Sequence, residues 1–536
     1  MRLTVDNSLH IFVIAAVMHA GGLMLFFEHW RLWILSNVGI VGTCFYVSSQ
    51  NNSAIRIFED LDLAHLALFG SICVLGLTYF LVQQISDGTN VIRGTKLKSK
   101  SEINKISTIK SRDFISLSGA KIPLTKNEGM MFCVAGETGS GKTQAILSIM
   151  KQLIEKGDRL VVFDPSGDLM KYLYSNNDII LSTEDERSVN WSPFAEIRMP
   201  SDCLTISEGL ISNQTGEAAS WYENAQQYTS DLMATCLKNG QTSNADLIEL
   251  LSKTPNATLR ELLADTPSSR FTDSGADRQL ASIQGIASSN LRCLRELNPM
   301  TNDSGFSLKA YCEGHSSCQN LWLPYSDISA SLTSPLRRCW ARIIIRTLMS
   351  AKDPSQGRNK RTWLIVDEIA SNSALDDLNL AASRGRKYGL GVIAGMQSAS
   401  QLNEIFGADG ARSLLSNFSN SLILRSPESE TAKLLAATIG QQEISRTVHR
   451  GESRYEQTRE LRDVSLPAEI MSLPDRTGYL KVGAAGWTKI VVPIIAKNLK
   501  VRTRFQYRTT TSLPNKNDGS LNREPDPTNS INLDEI

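Results

Sequence analysis

Cysteine is sparse and unpaired in this chain: nine residues are scattered over 536 positions, and no two of them form a CxxC pair. That excludes a disulfide framework and fits a reducing compartment for the bulk of the protein. The nearest approach to a metal cluster is Cys312, His315 and Cys318 in a polar loop, which lacks a fourth ligand nearby, so no structural zinc is expected. An excess of one charge is missing as well. Lysine and arginine total 56 against 55 acidic residues, a net charge of +1, so any nucleic-acid footprint must be local. With 41% hydrophobic and 21% charged residues, most of the chain is expected to be globular, with room for about three or four domains.

Long apolar runs are confined to the N-terminal end. Ile11–Phe27 and Leu63–Val82 each suffice for a membrane span, which needs about 20 helical residues. The first has no small-residue cleavage pattern, which argues against a removed signal peptide. His19 and His65 lie within these runs and read as neutral residues of a packed helix pair. A shorter run, Leu32–Val47, follows Trp30 and Trp33 and reads as interfacial, the alternative being a third span. Arg93, Lys96, Lys98, Lys100, Lys105, Lys110 and Arg112 come after the second run and mark the cytoplasmic side. They read as a solvated linker or as a contact to anionic lipid headgroups.

The strongest signal is Met130–Ala135, an apolar strand-like run, followed by Gly136-Glu137-Thr138-Gly139-Ser140-Gly141-Lys142-Thr143 and then a helical pattern from Gln144. Glycines let backbone N–H groups curl around phosphate, and the helix N-terminus adds the positive end of its dipole. Lys142 is expected on the β- and γ-phosphates and the Thr143 hydroxyl on Mg2+. A second strand over Arg159–Asp164 ends in Asp164-Pro-Ser-Gly-Asp168, and a third, Thr362–Val366, delivers Asp367 and Glu368 to its carboxyl end. At that edge of a parallel sheet Asp367 is expected to hold magnesium through water and Glu368 to polarise the attacking water. Gln397, ending the strand Leu390–Met396, reads either as a γ-phosphate or water contact or as an edge glutamine. Arg386, within Arg384-Gly-Arg-Lys387-Tyr-Gly389, reads either as an arginine finger for a neighbouring subunit or as part of a helix C-terminus capped by Gly389. No LSGGQ-type string lies between the phosphate loop and the second carboxylate strand, and no N-K-x-D guanine reader follows it. ATP is therefore expected as the nucleotide.

Thr143 and Asp367 stand much further apart than one or two βα units require, and residues 203–315 change to helical spacing, with a capping-box-like start at Thr258. The expected fold is α/β: a P-loop NTPase of the RecA/FtsK type with a parallel sheet core, an inserted all-α domain and an N-terminal two-helix transmembrane region. The expected parts are 1–90 transmembrane, 91–202 with 316–510 nucleotide-binding, 203–315 inserted, and 511–536 a disordered tail with a surplus of acidic residues.

Several strings together resemble the type IV secretion coupling proteins of the TraD/TrwB type, within the FtsK/HerA motor group. They are GETGSGKT, LVVFDPSGDLM from Leu160, WLIVDEIAS, GRKYGLGVIAGMQSASQLNEIFG from Gly385 and LPDRTGYLKV from Leu473. The resemblance covers nearly all of residues 85–500. It implies an ATP- and Mg2+-dependent hexameric ring at the bacterial inner membrane, multi-pass, with the bulk of the chain cytoplasmic. Such a ring links relaxase-bound DNA to a type IV secretion channel. It also implies Lys142 and Thr143 as Walker A residues, Asp367 and Glu368 as the Walker B pair, Gln397 as the motif glutamine and Arg386 as the trans-acting arginine. Two other readings remain: a receptor for protein effectors of such a secretion system, and a chromosomal DNA translocase. For DNA contacts the sequence offers Arg384, Lys387, Arg270, Arg278, Arg292 and Arg295, each of which reads equally as part of a solvated helix face.

Overall fold

The structure is a computed structural model and describes residues 89–125, 129–273, 275–297, 305–314, 320–350, 361–370, 377–449 and 455–508. The runs expected to span or line the membrane, His315, Cys318 and the tail from 511 onward lie outside the described residues. Among the described residues no helix is long and apolar enough to cross a membrane. The chain divides into two compact units, residues 1–90 with 445–458 and residues 91–444 with 459–536. In the first, the described residues 89–90, 445–449 and 455–458 are all extended. The second unit holds the large sheet and the helical region.

The strands, in chain order, begin with β1 (Thr89–Gly94), β2 (Phe114–Leu117), β3 (Ala120–Pro123), β4 (Met131–Ala135), β5 (Arg159–Pro165), β6 (Ile179–Ile180) and β7 (Leu321–Tyr325). They continue with β8 (Thr362–Val366), β9 (Leu390–Met396), β10 (Asn420–Ile423), β11 (Gln441–His449), β12 (Tyr455–Asp463), β13 (Thr477–Val482) and β14 (Gly486–Val491). Nine of them form one sheet in the order β14-β13-β10-β4-β9-β8-β5-β7-β6. Every pairing from β10 to β6 is parallel, while β13 and β14 add an antiparallel edge. Strands β4, β7, β8 and β9 are buried along their whole length, as a sheet covered on both faces requires. Alternate residues of β4 feed two separate cores: Met131, Cys133 and Ala135 one, Phe132 and Val134 the other.

Register decides which loops meet. Ala135 pairs with Met396, and Val366 with Ala394, so β4, β8 and β9 end at one edge of the sheet with β9 in the middle. The helix Lys142–Glu155 leaves β4 there, burying Ala145, Ile146, Ile149, Met150 and Leu153 on one stripe. Two glycines of β9 make the packing possible. A Cβ on Gly391 would lie 2.4 Å from the Trp363 ring, and one on Gly395 1.9 Å from Asp367 O.

Among the described residues between β6 and β7 every regular element is helical, including Pro200–Leu210, Ala219–Lys238, Asn244–Lys253 and Asp277–Leu291. Buried Arg338, from the helix Ala330–Ser350, donates to the carbonyls of Gly209 and Leu210, both at 2.6 Å, and so satisfies the C-terminus of the helix Pro200–Leu210. Glu196 is fully buried and accepts from Trp191 Nε1 and from the backbone N–H groups of Leu308 and Lys309, tying the two ends of the helical region together.

Two local expectations need correction. Thr258 does not open a helix: it lies inside Asn256–Leu262, whose N-cap is Pro255 (φ −60°), because proline supplies the required φ one turn earlier. Reciprocal capping boxes occur instead at Ser243/Asp246 and Ser99/Glu102. The basic stretch 93–112 is not a linker either. It holds the end of β1 and the helix Lys100–Lys110, with Ile103 fully buried and Lys98 Nζ donating to Ala485 O at 2.7 Å. Ile103 and, in part, Ile106 pack against the core, while Ile109 and most of the charges stay exposed.

Candidate nucleotide site

The loop from Gly136 to Gly141 curls over the end of β4. Gly139 and Gly141 adopt positive φ (83° and 107°), a region that side-chain-bearing residues avoid. The helix Lys142–Glu155 then starts with no side-chain cap and no acidic residue in its first turn, leaving its N-terminal N–H groups for an anion. Glu137, Thr138, Gly139, Gly141, Lys142 and Thr143 line a cavity of about 490 Å³. Gly136 and Ser140 stand behind it: Gly136 N–H donates to Met396 O at 3.0 Å, and Ser140 Oγ to Glu137 O at 2.7 Å. They shape the loop rather than line the space.

The opposite wall carries Asp367 and Glu368 from β8 and Gln397 from β9. Lys142 Nζ lies 2.6 Å from Glu368 Oε2 in a buried ion pair, across 226 positions of sequence. Asp367 is only partly buried as a residue, yet its Oδ1 is sealed from solvent and has no hydrogen-bond partner among the described residues. Burial pushes the Asp367 carboxyl above the usual carboxylate range; the Lys142 ammonium opposes this, and Glu368 and Asp168 add to it. An unpartnered carboxylate oxygen on a residue that lines the same cavity as Thr143 fits a divalent cation, which would reverse that electrostatic penalty. Thr138 Oγ1 reaches Gln397 Oε1 at 3.4 Å, so the glutamine sits across the phosphate loop from the helix start.

Arg386 is elsewhere. It lies in the short 3-10 turn Gly385–Tyr388 that precedes β9, at the end of that strand opposite Gln397. Seven strand residues at about 3.3 Å each place it roughly 20 Å from the pocket of its own subunit. Gly389 (φ 73°) closes the turn, its N–H donating to Arg386 O. Arg384 and Lys387 are exposed there, as are Arg270, Arg278, Arg292 and Arg295 on the helical region.

Other residues of the site were given no role by the sequence, although Asp168, Asp475 and Arg476 lie within strings quoted above. Arg425, just after β10, pairs with Glu137 and, at 2.7 Å, with Asp475, so a salt-bridged strut backs the phosphate loop. Arg476 adopts left-handed backbone (φ 64°) and donates its N–H to Ser140 O at 2.8 Å, while its side chain closes over Gly141. For a non-glycine residue that conformation costs of order 1–3 kcal/mol and persists where the surroundings impose it. Gln144 lines the pocket and accepts from the N–H groups of Ile495 and Ala496, anchoring the C-terminal segment at its rim. Asp168 and Asp327 complete the acidic wall.

Residues 116–492 match the family described as the type IV secretion-system coupling protein DNA-binding domain. The chain belongs to this family. Among curated coupling proteins it is 27% identical over 389 residues to coupling protein TraD of Escherichia coli K12, covering 70% of this chain and 53% of TraD. It is 31% identical over 138 residues to the coupling protein VirD4 of Bartonella quintana, covering 24% of this chain and 22% of VirD4. The chain thus spans about half the length of TraD and less of VirD4. Among solved coupling-protein structures, that of the conjugative coupling protein TrwBdeltaN70 superposes with a TM-score of 0.71 at 27% identity, covering 78% of this chain and 97% of that one. The TrwB complex with ADP and Mg2+ gives 0.68 at 27% identity, covering 78% and 98%.

Proposed function

We propose that the protein is a membrane-anchored coupling ATPase that binds ATP and Mg2+, assembles as a hexamer at the bacterial inner membrane and drives relaxase-bound DNA into a type IV secretion channel. The observation that carries the enzymatic part is the buried Lys142–Glu368 pair beside the unpartnered Asp367 Oδ1, at the edge where the phosphate loop opens. The family match over 116–492 and the TraD and TrwB likenesses support the conjugative role.

In this reading the loop N–H groups and Lys142 hold the β- and γ-phosphates, and Thr143 and Asp367 hold the magnesium ion. When bound, that ion neutralises the developing charge on the phosphates. Arriving phosphate competes with Glu368 for Lys142. Once released from the lysine, Glu368 accepts the proton of the attacking water, and Gln397 orients that water or the γ-phosphate. Arg386 lies too far to serve its own site and is assigned to the neighbouring subunit's phosphates.

Glu368→Gln tests the division of labour. The amide removes a charge that competes for Lys142, so nucleotide affinity is expected to hold or rise while turnover falls by about 10²–10⁴-fold, the usual worth of a positioned base. Equilibrium nucleotide binding and steady-state hydrolysis of the purified variant check this. Loss of binding together with turnover would assign Glu368 a structural role only.

A further inference from the structure

The turn after β5 is held from several sides at once. Asp164, fully buried, accepts from the N–H groups of Leu169 (3.1 Å) and Met170 (2.7 Å). Ser166 and Gly167 both take left-handed backbone (φ 59° and 70°), and for serine this occurs only where the surroundings impose it. Ser166 N–H donates to Tyr325 O at 2.8 Å, which ties the turn to β7. On the outside, Phe505 packs against Gly167, and Arg502 N–H donates to Lys171 O at 2.9 Å. The side chain this apparatus sets at the pocket is Asp168, exposed and lining the same cavity as Thr143, Asp367 and Glu368.

A carboxylate there opposes a polyphosphate unless a cation stands between them. Lys142 is the lysine in the lining, against the carboxylates Asp168, Asp327, Asp367, Glu368 and Glu137, the last of these paired with Arg425. Asp367, a residue of the same lining, has an Oδ1 with no hydrogen-bond partner among the described residues, which points independently to a cation. Magnesium ions in such sites keep several waters, and those waters need acceptors. We propose that Asp168 is a positioning residue for the magnesium ion, its carboxylate accepting hydrogen bonds from metal-bound water while Thr143 and Asp367 hold the ion. The inference rests on the nucleotide reading of this pocket and adds to it a second, outer-sphere carboxylate delivered by the turn after β5.

The test uses the full-length, detergent-solubilised protein and a fluorescent ATP analogue, titrated in EDTA and at graded Mg2+. Asp168 is exposed, so Asp168→Asn is expected to fold, which an unchanged melting temperature verifies. In EDTA, Asp168→Asn is expected to bind nucleotide as tightly as wild type or a few-fold more tightly, since a repelling charge is gone. The Mg2+ concentration for half-maximal binding is expected to rise about 10–100-fold, the usual effect of losing an outer-shell partner, with Asp168→Glu recovering part of it. Asp367→Asn serves as the reference and is expected to shift the midpoint at least as far. An unshifted midpoint in Asp168→Asn with a shifted one in Asp367→Asn overturns the proposal. So does weaker binding in EDTA, which marks a merely structural turn. If neither variant moves the midpoint, the metal reading of the whole pocket fails, and the role of Asp168 with it.

Discussion

Lys142→Ala is expected to lower ATP turnover by at least roughly 10²–10³-fold, the cost of losing one preorganised charge contact to the reacting group. The structure adds a second effect. Lys142 and Glu368 form a buried pair, so the alanine variant takes from the Glu368 carboxylate the lysine it pairs with. Breaking such a pair from one side costs of order 3–5 kcal/mol, because an uncompensated charge stays buried. The variant should therefore melt well below wild type in the absence of nucleotide. Adding Glu368→Gln to it is expected to recover most of the lost stability and none of the turnover. Thermal melts and hydrolysis assays of the two single variants and the double variant check both halves. Equal instability in the single and double variants would mean that the ion pair is not what Lys142 contributes to the fold.

Arg386→Ala is expected to leave ATP binding intact and to reduce turnover by about 10³–10⁵-fold, the range of arginine fingers. Its place at the far end of β9 from the phosphate loop argues against a role within the same subunit. Mixing discriminates further. Subunits carrying Arg386→Ala and subunits carrying Lys142→Ala are each expected to be inactive, yet in the proposed ring a mixture would contain interfaces where an intact Lys142 meets an intact Arg386. Partial activity is expected on mixing. Co-assembled rings that stay inactive at every ratio count against the trans assignment, provided that rings mixing either variant with wild type retain activity.

Much of the sheet was legible because its signals are local. An apolar run before G-x-x-x-x-G-K-T and a helical stripe behind it describe one βαβ step, and Thr362–Val366 and Leu390–Met396 read as buried strands from composition alone. Which strand ends meet is not local information. Lys142 faces Glu368 because β9 lies between β4 and β8 in the sheet, an order set by packing across 226 positions. The acidic pair following Val366 was readable; the ion pair made by one of its members was not. The struts behind the phosphate loop escaped for a similar reason. Arg425 and Arg476 act through chain reversals beside β10 and β13, and a left-handed arginine has no compositional mark. Asp168 closes a string that was visible, but only the folded turn shows that its carboxylate lines the pocket while that of Asp164 holds the turn from inside. The segment 93–112 misled because its charges dominate its composition, whereas its place is set by the fewer apolar residues it buries, such as Ile103.

If ATP hydrolysis here serves the movement of DNA, DNA must change the rate of hydrolysis. Steady-state ATP turnover of the full-length protein, measured with and without single- and double-stranded DNA, tests this most directly. DNA is expected to raise turnover several-fold, with a salt dependence that reflects phosphate contacts, and to have no effect on Lys142→Ala. Turnover indifferent to both forms of DNA at low salt, yet raised by a secreted protein substrate, would contradict the claim and make the chain a receptor for protein cargo.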